Sequence, residues 1–253
     1  MKAFHPEINL LFNALVFFTR IPAPQGVDYS AANLNRASRY LPLIGLFIGA
    51  CAALVLSLAA QLLPLSLAVL LSMLTTILLT GAFHEDGLAD SSDGFGGGWD
   101  KGQILRIMKD SRIGTYGVVA LIMTLAIKYH ALSELMYPAS ILILGHSLSR
   151  FAAVCLIYRD SYVREDADAK AKPLANRIDR NGLLIASLPP VLALLLMASL
   201  SAWLVLIPVC LITAGCSYYF NKRIGGYTGD CLGTCQQLTE LSIYLFFCLP
   251  WFI

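Results

Sequence analysis

Residues 41–63 read LPLIGLFIGACAALVLSLAAQLL and residues 64–83 read PLSLAVLLSMLTTILLTGAF, and neither run carries a charged side chain. About 20 consecutive apolar residues cross a bilayer as a helix. Each run is therefore long enough to span, and Pro64 marks the tight turn between them. Composition agrees: hydrophobic residues make up 57% of the 253-residue chain and charged residues only 13%, where a soluble domain is about 25% charged.

Residues 115–134 and 138–158 read as two further spans. Residues 181–221 are uncharged throughout and long enough for two, with a turn near 199–203. There the Pro189-Pro190 pair and Pro208 kink the helices or mark their ends. Residues 241–253 cross only if their helix starts near Cys235 and takes in Glu240. Residues 8–18, interrupted by Asn13 and closed by Thr19-Arg20-Ile21-Pro22, are short for a span and read as an interfacial helix. No small-residue cleavage site precedes the prolines. The expectation is an all-α polytopic membrane protein with about six or seven transmembrane helices. Cytoplasmic catalytic loops and a short N-terminal interfacial helix complete it, and 1–253 form a single membrane-embedded domain without internal repeats.

Basic residues set the orientation. Of the 18 Lys and Arg, only Lys128 and Arg150 lie inside expected spans. The rest fall in the N-terminal segment (Lys2, Arg20, Arg36, Arg39) and in three loops. The first loop holds Lys101, Arg106, Lys109 and Arg112. The second holds Arg159, Arg164, Lys170, Lys172, Arg177 and Arg180, and the third Lys222 and Arg223. By the positive-inside rule all these segments face the cytoplasm, so every candidate catalytic group is expected on that one side of the membrane. Most of the seven cysteines lie in apolar runs, where Cys behaves as a small hydrophobe. Cys231 and Cys235 are expected in a polar loop as free thiols. Membrane lipid is the surrounding partner and no nucleic-acid partner is expected. The oligomeric state stays open, a homo-oligomer included.

The second run ends on His84-Glu85-Asp86-Gly87-Leu88-Ala89-Asp90-Ser91-Ser92-Asp93-Gly94, which opens the first polar loop. Asp86, Asp90 and Asp93 stand at i, i+4 and i+7, one face of a helix. Three like charges on one face repel, and such a cluster persists when something positive sits on it, most simply a divalent cation. Hard oxygen ligands suit Mg²⁺ or Mn²⁺, and Mg²⁺ is typically held by one or two carboxylates plus substrate phosphates. The competing reading is a solvated acidic helix end.

The loop continues through a Gly-rich run, residues 94–98, which either lets the backbone approach a ligand or serves as a flexible connector. Residues 104–108 read as a short helix at the membrane face, followed by Lys109-Asp110-Ser111-Arg112. A Lys and an Arg beside an acidic cluster complement it, because metal and bases both hold phosphate oxygens; the alternative is a basic patch for lipid headgroups. The third loop carries Gly225-Gly226-Tyr227-Thr228-Gly229-Asp230, and Asp230 completes a two-part site only in combination with the first cluster. His146 and Arg150, one turn apart, read as a structural contact between spans, with Arg150 alternatively reaching substrate phosphate. Together the residues suggest displacement at a diphosphate, an Asp accepting the proton of an attacking hydroxyl.

The sequence resembles the cobalamin synthase (adenosylcobinamide-GDP ribazoletransferase) family along its whole length. The motifs are Phe18-Thr19-Arg20-Ile21-Pro22, Leu41-Pro42-Leu43-Ile44-Gly45, Phe83-His84-x-Asp86-Gly87-Leu88-Ala89-Asp90-x-x-Asp93-Gly94, Ile107-Met108-Lys109-Asp110-Ser111-Arg112-Ile113-Gly114 and Gly225-Gly226-x-Thr228-Gly229-Asp230-x-Leu232-Gly233. The resemblance implies that adenosylcobinamide-GDP and α-ribazole (or its 5′-phosphate) combine to give adenosylcobalamin (or its phosphate) and GMP, with Mg²⁺. It implies Asp86, Asp90 and Asp93 as metal ligands, one of them serving as base. Lys109 and Arg112 would hold phosphate, with Asp110 and Asp230 as secondary metal or substrate groups. His84 would donate to phosphate or orient Asp90. Glu85 departs from the family's usual apolar residue. The nearest rival is a CDP-alcohol phosphatidyltransferase-like enzyme, whose Asp-Gly-x-x-Ala element resembles residues 86–89 but continues with Arg where this chain has Asp90. An intramembrane prenyltransferase would need a repeated acidic motif, and a divalent-cation transporter would need acids at mid-membrane.

Overall fold

The computed structural model describes residues 4–164 and 177–252. In chain order the helices are α1 (Pro6–Phe18), α2 (Ala31–Ala37), a 3-10 turn (Ser38–Tyr40), α3 (Leu41–Ala59), α4 (Leu65–Thr80), α5 (Phe83–Gly97), α6 (Lys101–Met108), α7 (Thr115–Glu134), α8 (Pro138–Arg159), α9 (Arg180–Leu196), a second 3-10 turn (Ser201–Val205), α10 (Leu206–Ile224) and α11 (Gly229–Phe247). The all-α polytopic expectation holds. Of the basic residues used for orientation, Lys2, Lys170 and Lys172 lie outside the described residues.

Among the described residues four helices are long and apolar enough to cross a membrane: Ala31–Ala59, Thr115–Glu134, Pro138–Arg159 and Ser201–Ile224. Leu65–Thr80 with Phe83–Gly97 makes a fifth only as a pair bent by 85°. Length and apolarity thus give four or five candidate spans among the described residues, beside the six or seven expected. Arg180–Leu196 is apolar but shorter, running unbroken through Pro189 and Pro190.

Helix α8 is the centre of the bundle, 78% of its most apolar window being buried against 28% for α7 and for Ser201–Ile224. Lipid tails are as apolar as leucine, so helices associate in a membrane by close packing rather than by the hydrophobic effect. Two glycines supply it here. A Cβ on Gly45 would stand 2.2 Å from the His146 carbonyl oxygen, and one on Gly49 2.8 Å from the Ile143 Cα. The backbones of α3 and α8 therefore touch. On the outside α4 presents Leu67, Leu70, Leu74 and Leu78, all exposed, as a lipid-facing wall does.

Helix α1 is anchored by its polar residues. Asn9 and Asn13 donate to the Asp28 carbonyl oxygen (3.1 and 2.9 Å), and Glu7 accepts from Arg39 and Tyr40. The backbone N–H of Arg20 donates to the Leu79 carbonyl oxygen at 2.7 Å, tying the N-terminal segment to the end of α4.

Two expected loops are partly helix instead. The acidic motif of the first lies within α5, and residues 229–239 of the third, expected over 222–239, form the first half of α11. The Gly-rich run is the C-terminal part of α5, where small size serves helix packing. A Cβ on Gly94 would meet Met108 at 2.5 Å and one on Gly96 the Tyr116 ring at 2.6 Å. The run is therefore helix rather than a flexible connector. Cys231 and Cys235 are consequently buried, one turn apart on α11.

Candidate active site

The site begins at a hinge. Gly81 (φ 67) and Ala82 (φ 58) are both left-handed, and two such residues in succession end α4 and turn the chain by 85° into α5. Gly81 adopts this conformation freely, whereas Ala82 is strained by roughly 1–2 kcal/mol, an arrangement that persists where the surroundings impose it. The turn takes α5 off the span axis and lays its acidic face toward α7 and α11.

The helical face inferred from the i, i+4, i+7 spacing exists, but its three members differ. Asp86 is exposed, Asp90 half-buried and Asp93 buried. Asp93, expected as a metal ligand, spends both oxygens on backbone: the Gly114 N–H donates to Oδ2 at 2.7 Å and the Gly117 N–H to Oδ1 at 2.9 Å. These are orphan donors at the start of α7, so Asp93 caps α7 from a neighbouring helix. Gly114 and Gly117 leave the carboxylate room, since a Cβ on either would lie 2.5 Å from an Asp93 oxygen. Asp93→Asn replaces one acceptor by a donor facing an N–H. It should cost about 1–3 kcal/mol, read as a lowered unfolding midpoint in detergent; an unchanged midpoint would remove the cap.

The partner that joins Asp86 and Asp90 is Asp230, at the N-terminal turn of α11. Glycines set the approach: a Cβ on Gly87 would stand 3.0 Å from the Asp230 carbonyl oxygen and 3.3 Å from the Gly233 Cα. Thr234 locks the crossing by donating to the Gly87 carbonyl oxygen at 3.1 Å. Burial first, then the neighbouring Asp86 and Asp230 carboxylates, push Asp90 up to about 7. Burial likewise raises Asp230, against the pull of Arg164. Gly87→Val should wedge α5 away from α11 and lower turnover by about 10²-fold, the cost of roughly 1 Å of misplacement at reacting groups. A steady-state assay at matched folded protein checks this, and wild-type turnover would mean the crossing tolerates the added bulk.

Arg164 is the nearest cation. Its Nη2 lies 3.3 Å from Asp230 Oδ2 and 3.4 Å from the Met108 carbonyl oxygen. The loop after α8 is brought there by a backbone bridge: the Val163 N–H donates to the Tyr227 carbonyl oxygen (3.0 Å) and the Tyr227 N–H to that of Ser161 (2.9 Å). Arg164 also lines a cavity of about 710 Å³ with Lys101, Arg106, Lys109 and Asp110. A strongly basic cavity therefore adjoins the acidic group.

Lys109 and Asp110 are thus part of the cavity lining. Arg112 is not: its exposed guanidinium pairs with Asp110 at 2.6 Å and does not line the cavity. Arg112 hydrogen bonds hold Asp110 at about 2. Arg150 is buried, with Nη1 donating to the His146 carbonyl oxygen at 2.9 Å. Held there, it fits the reading as a structural contact rather than the alternative of reaching a phosphate at the membrane face. His84, about 200° around the helix from Asp86, is buried within electrostatic reach of Arg150, Glu240, His146 and Lys128 rather than beside the aspartates.

Those four belong to an interior polar cluster centred on Glu240. Lys128 Nζ pairs with Glu240 Oε1 at 2.8 Å and donates to Gln237 Oε1 at 2.6 Å. His146 Nδ1 lies 3.1 Å from Glu240 Oε2, and the Tyr244 hydroxyl donates to Oε1 at 3.2 Å. Gln237 Nε2 donates in turn to Glu85 Oε1 at 3.0 Å. Glu85 is therefore turned inward, away from the Asp86–Asp90 face.

Among the described residues no group of three or more His, Cys, Asp or Glu is arranged to hold an ion by itself. Asp86 and Asp90, with Asp230 beside them, offer a few hard oxygens and mutual repulsion that a cation would relieve. That set fits Mg²⁺ bound through one or two carboxylates with substrate oxygens completing its shell. The sequence reading missed Arg164, Lys101 and Arg106 as site residues. Lys101, Leu105 and Lys109 do repeat at i, i+4, i+8, a legible helix face; Arg164 carries no such signal.

The family described as Cobalamin-5-phosphate synthase matches residues 10–248. A relative from Shewanella amazonensis is 47% identical over 257 residues, covering 99% of both chains. One from Shewanella frigidimarina is 47% identical, covering 94% of both. One from Shewanella oneidensis is 46% identical, covering 96% of this chain and 95% of its own. All three are named adenosylcobinamide-GDP ribazoletransferase. No solved structure matches the chain.

Proposed function

The chain belongs to the cobalamin-5-phosphate synthase family, and on that premise we propose that it joins adenosylcobinamide-GDP with α-ribazole, or its 5′-phosphate, giving adenosylcobalamin or its phosphate and GMP. The observation that carries the mechanism is the adjacency of Asp86, Asp90 and Asp230 to a cavity lined by Lys101, Arg106, Lys109 and Arg164. Acids beside bases are what a cation-bound diphosphate requires.

A hydroxyl of ribazole attacks the phosphorus on the cobinamide side of the diphosphate. The bond from that phosphorus to the bridging oxygen breaks, and GMP leaves with the oxygen and its electron pair. The four basic side chains hold the nonbridging oxygens and favour charge building on the leaving phosphate. One carboxylate of the Asp86–Asp90 pair accepts the hydroxyl proton. Asp86 and Asp90, with Asp230 adjoining, would hold Mg²⁺, which would neutralise charge on the diphosphate. We place the protein in the bacterial cytoplasmic membrane with this site facing the cytoplasm, a reading supported by the distribution of Lys and Arg.

Purified full-length protein in detergent or liposomes, given adenosylcobinamide-GDP and α-ribazole phosphate, should release GMP together with a cobalamin product. Chelation of Mg²⁺ should abolish both. No product from folded protein would overturn the substrate assignment, and CDP-linked lipids would be tried next. That rival finds no support among the relatives reported above.

A further inference from the structure

A second basic cavity lies apart from the one beside Asp230 and shares no lining residue with it. It measures about 1010 Å³ and is lined by Arg36, Arg39, Arg159, Arg177 and Arg180 together with the first turn of α9. The arginines come from three places distant in sequence: the α2 region, the end of α8 and the entry to α9. The family reaction as derived above uses none of them.

Among the described residues, Asp179 lines this cavity and Glu7 pairs with Arg39, and both carboxylates are engaged. Asp179 caps α9, accepting from the Gly182 N–H at 2.9 Å. Glu7 accepts from Arg39 and from the Tyr40 hydroxyl. Arg39 is the buried member, its side chain only 11% exposed, and its Nε is buried with no hydrogen-bond partner. A buried charged donor left unmade is costly, and five like charges around one space repel. The 17-residue α9 adds the positive end of its dipole to the same space. Arg36, Arg159, Arg177 and Arg180 are exposed and form the rim, while Tyr158, 48% exposed, lines the same cavity near the end of α8.

We propose that this arginine-lined cavity between the α2 region, the end of α8 and the start of α9 is a second anion site that binds a phosphate group. Guanidinium forks match phosphate oxygens in pairs. A headgroup of an anionic lipid and a soluble phosphate ester present the same chemistry to it.

The test is arginine-specific labelling with phenylglyoxal on full-length protein in zwitterionic bicelles, read by peptide mass spectrometry. One arm adds phosphatidylglycerol and another adds inorganic pyrophosphate. Arg20, exposed and outside both cavities, is the internal control. Labelling of Arg159, Arg177 and Arg180 should fall at least fivefold in one or both arms while Arg20 is unaffected, and the protecting arm identifies the source. Arg177→Gln, a rim change that leaves Arg39 and its partners intact, should weaken protection of Arg159 and Arg180. Protection in neither arm would overturn the proposal. So would protection equal at Arg20, or protection unchanged in Arg177→Gln.

Discussion

Asp90→Asn is expected to lower turnover by about three orders of magnitude or more while the chain still folds and inserts. Asp90 is half-buried between Asp86 and Asp230, and its carboxylate is the member of the group that both neighbours oppose. Asparagine keeps the shape but removes the negative charge that draws a divalent cation and any capacity to accept a proton. Stability should move the other way. With one of three repelling carboxylates neutralised, the unfolding midpoint should stay level or rise, as is common when a strained functional group is removed. The measurement is single-turnover GMP release alongside thermal unfolding in detergent. Wild-type turnover would take Asp90 out of the site. Lost turnover with a collapsed midpoint would assign it a structural role instead.

The second large effect falls on stability. Glu240→Gln should destabilise the protein by about 3–5 kcal/mol, the cost of breaking a buried ion pair from one side. Glu240 is 3% exposed and is the hub at which Lys128 of α7, His146 of α8 and Tyr244 of α11 meet. Removing its charge strands Lys128 and leaves Arg150 without its nearest negative neighbour in an apolar bundle. Adding Lys128→Met to Glu240→Gln should recover part of the loss, because the orphaned charge goes with it. A loss below about 1 kcal/mol for Glu240→Gln, the scale of an exposed pair, would mean that the cluster is reached by water.

Parts of this were plain in the residue order. The uncharged runs before Phe83 and after Arg180 are helices, and residues 115–134 form a helix with the bounds expected. Periodicity put Asp86, Asp90 and Asp93 on one helical face. The same periodicity could not separate Asp93 from the other two, because what distinguishes it is two N–H groups 21 and 24 residues further on. The orientations of Arg112 and Arg150 were illegible for a related reason. An Arg next to an acidic motif, or near a helix end, gives no sign of whether it turns toward a cavity, toward Asp110 or into the bundle. Arg164 sits among mixed charges that look like any solvated loop until the Ser161–Val163 segment pairs with Tyr227.

What the sequence determined by itself was class and chemistry. Long uncharged helices follow from local composition, because a backbone in lipid has to satisfy its own hydrogen bonds, and clustered carboxylates mark the candidate site by charge alone. What only the tertiary structure decided was which groups share a site. The left-handed Gly81–Ala82 hinge turns α5, the Gly87–Gly233 crossing brings Asp230 to Asp90, and Glu240 gathers Lys128, His146 and Tyr244. Each of these depends on contacts between residues far apart in the chain, at separations where packing and electrostatics act but sequence spacing carries no information.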